Sequence, residues 1–173
     1  MTQYRKTQYL INSGNCFRDV VDNIVEILRR EQKEDVDSEL SLFKRVHEIY
    51  DNDVFIIPAT PAIAVSWTGF TEKVRTIGQQ HPVHFTIENN VTIFYYHEEL
   101  NVNIRREEIR DAMWEVARVL RRNSDLNGLS SVGATINSGQ LVNRVRSNNV
   151  YAGGSIELIV PVLIESRRGI SVL

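Results

Sequence analysis

Four histidines, His47, His81, His84 and His97, are the first candidates for chemistry. His81 and His84 stand three apart in an extended stretch, where side chains alternate, so they point to opposite faces. His97-Glu98-Glu99 reads as a strand end, and the two-histidine helical zinc spacing H-E-x-x-H does not occur. No metal site is expected. The phosphate-cradling patterns G-x-x-x-x-G-K-[ST] and G-x-G-x-x-G do not occur, nor does the nucleophile elbow G-x-S-x-G. Cys16, the single cysteine, reads as a small buried hydrophobe in an amphipathic helix, with no histidine following nearby. These residue types nominate no catalytic group and no cofactor, so the chain is not expected to be an enzyme.

Residues suited to contact are more informative. Leu141-Val142-Asn143-Arg144-Val145-Arg146 sets basic side chains among apolar ones beside a turn. Lys73 and Arg75 do the same in an irregular stretch. They form either a solvated face or a salt-sensitive contact with a neighbour. The aromatic residues Trp67, Phe70, Tyr95 and Tyr96 lie near irregular structure, and they are either core residues or anchors of a subunit interface.

The 173 residues carry 20 Lys+Arg against 22 Asp+Glu, a net charge of −2, which disfavours a strongly basic nucleic-acid binder. Charged residues make up 24% and hydrophobic ones 42%, ordinary values for one globular domain that needs no disulfide or metal staple. The longest apolar runs, Phe55 to Ile57 and Leu158 to Ile164, are too short to span a bilayer, and the N-terminus has no signal-peptide core. The expectation is a soluble product of a reducing cytoplasm.

Periodicity supplies the elements that would hold these residues. Phe17, Val20, Val21, Ile24 and Leu28 put one apolar stripe on a helix over 15–34. Ile109, Ala112, Met113, Val116 and Leu120 do so over 104–123, with Asn103 as candidate cap and Glu107 and Glu108 in the first turn. Ser41 to Tyr50 fits a strand slightly better than a helix. Residues 62–68 read as a strand, with Ile63, Val65 and Trp67 on one face and Ala62, Ala64 and Ser66 on the other. Thr68 to Pro82 is a long loop or an extended hairpin arm. The alternating runs around Asn89-Asn90 suggest a hairpin with those asparagines as its turn, and the large side chains on both faces of the second run require a second packing surface. Val132 to Ile136 suggests a short strand, Gly139, Asn148-Asn149 and Gly153-Gly154 read as turns, and 155–164 is a strand in which Pro161 favours an edge or a bulge. The order helix, strands, helix, strands is α+β: two amphipathic helices on a mainly antiparallel sheet.

In this order the segments resemble the tail terminator (tail completion) family of long-tailed bacteriophages. The resemblance covers about residues 15–166 and lies in layout. It comprises the first helix, the run Val54 to Val65 with Pro58, Pro61 and Ala62, an irregular excursion returning as His84 to Tyr96, the helix through Ile109-Arg110-Asp111-Ala112 to Leu120, its exit at Asn123 to Gly128, and the strand Ser155 to Ile164. It implies one α+β domain over 1–173, with an arm or loop at 68–82 and flexible or interface termini at 1–13 and 167–173. It implies a homohexameric ring that caps the tail tube, ends its polymerisation and joins the tail to the head connector in the neck of the virion, after assembly in the host cytoplasm. Its partners would be further copies of itself, the tail tube protein, the connector or neck protein, and a sheath protein if the tail contracts. DNA would pass only as cargo through the lumen, with no membrane and no cofactor involved. On this reading Trp67, Phe70, Lys73, Arg75, Tyr95, Tyr96, Arg144 and Arg146 are candidate interface residues, and deleting 70–80 would abolish capping without unfolding the chain. The alternatives are another neck or head-completion protein that binds the connector, a small enzyme, or a regulatory binding module.

Overall fold

The computed structural model describes residues 16–34, 45–54, 56–74, 83–98, 102–130, 132–146 and 149–166. Among them are helix α1 (Cys16–Glu34), strands β1 (Glu48–Tyr50), β2 (Ala62–Val74) and β3 (Val83–His97), helix α2 (Val102–Arg122), and strands β4 (Thr135–Arg146) and β5 (Asn149–Ser166). The strands form one sheet in the order β1-β2-β3-β5-β4. Only the short β1–β2 pair is parallel; β2–β3, β3–β5 and β5–β4 are antiparallel. The fold is α+β, as the periodicities require.

Both helices form because apolar residues recur on one side. Val20, Ile24, Ile27 and Leu28 of α1 are buried, as are Ile109, Ala112, Val116 and Leu120 of α2. They meet Ile63 and Val65 of β2, Val91 and Ile93 of β3, and Ile156, Leu158 and Val160 of β5 in one core. Burying such a side chain contributes roughly 1.5–3 kcal/mol before entropy is counted. Polar bonds fix the edges of this layer. Arg30 donates to Asn123 Oδ1 (3.0 Å), Arg122 to Glu31 Oε2 (2.8 Å) and Arg29 to the Ile49 carbonyl (2.6 Å).

The opposite sheet face carries a second, smaller core of Ile57, Ala62, Ala64, Phe94, Tyr96 and Tyr151, with Tyr50 and Val54 against it. The segment after β1 therefore covers the second face, as the bulky residues on both sides of β3 demand.

Several expected punctuation marks lie inside strands. Asn89-Asn90 is not a turn, because β3 runs through it and pairs Asn89 with Phe70 and Val160 and Asn90 with Gly69 and Ile159. Asn89 is fully buried; it accepts from Trp67 Nε1 (3.2 Å) and donates to the Val160 carbonyl (3.3 Å), which removes its preference for a turn. Gly139 and Gly153-Gly154 are likewise within β4 and β5. A Cβ on Gly153 would strike the Tyr95 carbonyl, and one on Gly154 would strike Met113, so both glycines permit close packing rather than reversal. The short strand expected at Val132 to Ile136 begins at Thr135 and continues to Arg146. Asn103 lies inside α2 and Glu107 and Glu108 lie beyond its first turn, since the helix starts at Val102. The stretch from Thr68 to Val74 is regular strand paired with β3, which fits the hairpin-arm alternative; 75–82 lie outside the described residues. Of Ser41 to Tyr50, only Glu48–Tyr50 is strand among the described residues. The two termini expected to be flexible or at an interface, 1–13 and 167–173, also lie outside them.

Candidate functional site: two open sheet edges

The sheet ends on one side with β4, whose outer edge has no partner strand among the described residues. On the other side β1 pairs with Ala62–Ala64, so among the described residues β2 has no second partner from Val65 to Val74. Each edge presents a row of backbone donors and acceptors, a template for a further strand. The long strands alternate in direction across the sheet, so β2 and β4 run in opposite senses.

A bulge at Thr68 interrupts β2 between Trp67 and Gly69. Gly69 has φ +154°, a conformation that L side chains rarely adopt. The extra residue turns Phe70 to the same face as Trp67. Phe17, in the first turn of α1, completes the cluster, with its ring centroid 4.7 Å from Trp67 and 5.0 Å from Phe70. Trp67 is 36% and Phe70 48% exposed, so this platform beside the open edge of β2 is only partly covered by its own chain.

Two further large apolar groups are exposed, one on β4 and one on α2. Leu141 is 50% exposed and lies opposite Gly154, on the helix face. Trp114 of α2 is 63% exposed and lies under the Arg121 guanidinium at 5.3 Å. It lies across the helical wheel from the buried Ile109, Ala112, Val116 and Leu120, so it points away from the sheet.

The expected interface residues divide. Trp67 and Phe70 are together at the β2 edge. Lys73 is exposed on the same strand and donates to Glu88 Oε1 at 2.6 Å. Tyr95 and Tyr96 are not surface anchors; at 3% and 2% exposure they are core residues on opposite faces of β3. The two packed layers bury both faces of the strand there, so an interface role for these tyrosines is withdrawn. Arg144 and Arg146 stand at the end of β4, level with Tyr151 and Asn149. Arg75 lies outside the described residues. Neither Trp114 nor the backbone edge of β4 was among the expected interface groups. The absence of Trp114 from the α2 apolar stripe was a legible signal, but an open edge depends on topology and leaves none.

A partly buried polar cluster lies elsewhere. His97 Nε2 lies 2.5 Å from Glu108 Oε2, and Arg45 donates to Glu108 Oε1 at 3.1 Å. Burial, reinforced by Glu108, pushes the Tyr95 hydroxyl well above the ordinary phenol range, and its oxygen has no hydrogen-bond partner among the described residues. An open groove of ≈ 530 Å³ runs along α1 beside Asp22, Glu26, Arg29, Arg30, Lys33 and Asp51, lined by exposed charges of both signs. Among the described residues, no three His, Cys, Asp or Glu side chains converge to hold a metal ion. The most distinctive feature is therefore the pair of long sheet edges that no other described strand covers. Comparison of the chain with known family models and with curated proteins finds no match.

Proposed function

We propose that this chain is a structural protein of a long-tailed bacteriophage, which assembles into a homohexameric ring on the end of the tail tube. The ring ends tube growth and gives the head connector a surface to join. One observation carries the self-assembly part of this reading: among the described residues, the two lateral edges of one sheet have no partner over long stretches and run in opposite senses. Identical copies can then meet head to tail, edge against edge, and a head-to-tail contact closes into a ring when its rotation permits. The capping role comes from the resemblance of layout and is consistent with a small α+β subunit. A ring that complements the tube on one face and not on the other stops growth by geometry alone.

The test is the mass of the purified chain by light scattering over a range of concentrations, with negative-stain images, alone and with tubes of the cognate tail tube protein. Closed six-fold rings, bound at tube ends and halting elongation, are the expected result. Monomers at every concentration that ignore tube ends would overturn the reading. Rings that bind a connector but not a tube would move the protein to the neck.

A further inference from the structure

We infer that the seam between neighbouring copies is a main-chain pairing of β4 in one copy with the open stretch Val65–Lys73 of β2 in the next, offset along the strands by four residues. The inference rests on the ring reading above and names the surface that makes the ring. The two strands run in opposite senses within one subunit, so copies in the same orientation present them to each other antiparallel. Pairing about nine residues supplies about nine hydrogen bonds, close to the number in a standard interface.

The offset follows from three constraints. It must be even, or the helix face of one copy would meet the opposite face of the next. It must clear β1, which occupies Ala62–Ala64. In the rows of the sheet, Asn143 is level with Ala152 and His97, and Gln140 with Ser155 and Phe94. Without an offset, or with one of two residues, the Val142–Asn143 end of β4 would run into β1. Four is the smallest even offset that places Thr135–Asn143 against Lys73–Val65. Finally, a sheet that closes on itself tilts its strands by about 35–45°. With a rise of about 3.3 Å per residue and a spacing of about 4.8 Å, that tilt means about one residue of offset per strand. Over the four long strands of a subunit the total is about four. The last pairs of the β4–β5 hairpin, Arg144–Tyr151 to Arg146–Asn149, extend past the end of β3 as a two-stranded ribbon. The stronger twist of such a ribbon carries them off the line of β1.

The side chains agree with this register. Leu141, half exposed, comes level with Trp67 on the helix face. Gly139 comes level with Phe70, so the exposed ring meets a residue without a side chain and reaches Met113, whose Cε is 3.4 Å from where a Gly139 Cβ would stand. Ser138 comes level with Thr71 on the opposite face. The apolar groups left open at the two edges thus cover each other.

The test uses a short bismaleimide on equimolar mixtures of full-length single variants, Ser138→Cys with Thr71→Cys and, as the unshifted register, Ser138→Cys with Ser66→Cys. Cys16 is buried, and the parent chain carrying it alone is the blank. Under ring-forming conditions the first mixture should give covalent dimers and the second should not. In parallel, Leu141→Glu should raise the concentration for half-assembly at least tenfold with an unchanged urea midpoint, whereas Leu163→Glu, on the opposite face away from the proposed seam, should not. Rings that form normally but cross-link only in the second mixture, or in neither, overturn this seam and leave the ring reading standing. Rings unaffected by Leu141→Glu do the same. Monomers throughout, with and without tubes, overturn both.

Discussion

Tyr95 and Tyr96 are adjacent, equally buried and opposite in consequence. The Tyr96 hydroxyl donates to Asp53 Oδ1 at 2.9 Å, whereas the Tyr95 hydroxyl is buried with no hydrogen-bond partner among the described residues. Tyr96→Phe removes a bond and leaves a carboxylate short of a donor, so it should cost about 1–2 kcal/mol in urea unfolding. Tyr95→Phe removes a desolvated hydroxyl and should be neutral or stabilising by up to about 1 kcal/mol. Tyr95 also makes stability depend on pH. Burial raises the Tyr95 hydroxyl above its ordinary value of 10.0, so the folded chain holds that proton more tightly than the unfolded one. This contribution is complete below about pH 10 and is lost as pH rises further. The urea midpoint should fall as pH rises above about 10, and less steeply in Tyr95→Phe.

At the scale of elements, the sheet is closely fitted to the helices and is thick in places. Gly153 faces the Tyr95 backbone carbonyl, which cannot move without breaking the β3–β5 ladder, whereas Gly154 faces the flexible Met113 side chain. Gly153→Ala should therefore destabilise more than Gly154→Ala, for which overpacking of about 1–3 kcal/mol is expected; paired urea titrations compare them. The β2–β3 arm behaves differently. From Phe70 to Val74, β2 pairs only with β3 among the described residues, and β3 is held on its other side by β5. Deleting 70–80 should keep a cooperative unfolding transition with a lowered midpoint, since the core around α1, α2 and β5 is untouched. It should abolish ring formation, because the platform and the open edge go together. Loss of cooperative unfolding in the deletion variant would show the arm to be part of the core.

For the whole molecule, a net charge of −2 leaves no dominant long-range attraction or repulsion, so assembly depends on short-range contact and local charge. Arg144 and Arg146 end β4 beside the proposed seam. Replacing both by alanine should weaken assembly at low ionic strength, and the difference from the parent chain should shrink once salt screens exposed charges beyond about 8 Å. Light scattering at several salt concentrations measures this. An effect that grows with salt would place these arginines outside the contact.

The sequence by itself determined the element types and much of the inner face of each. The 3.6-residue stripes of α1 and α2 and the alternation of Ile63 and Val65 against Ala62 and Ala64 are local patterns, and burial follows them. The need for a second packing layer was also legible, because Phe94 and Tyr96 are large residues on a face that Tyr95 leaves free. Only the tertiary structure decided what Asn89, Gly139, Gly153 and Gly154 do. Their local preferences favour turns, and neighbouring strands hold them extended because a buried amide can be satisfied there and a missing side chain makes room for Met113 or a carbonyl. The open edges belong to the same category. Whether a strand is central or at an edge depends on which distant segment pairs beside it, and no local pattern in 135–146 records that no other described strand does.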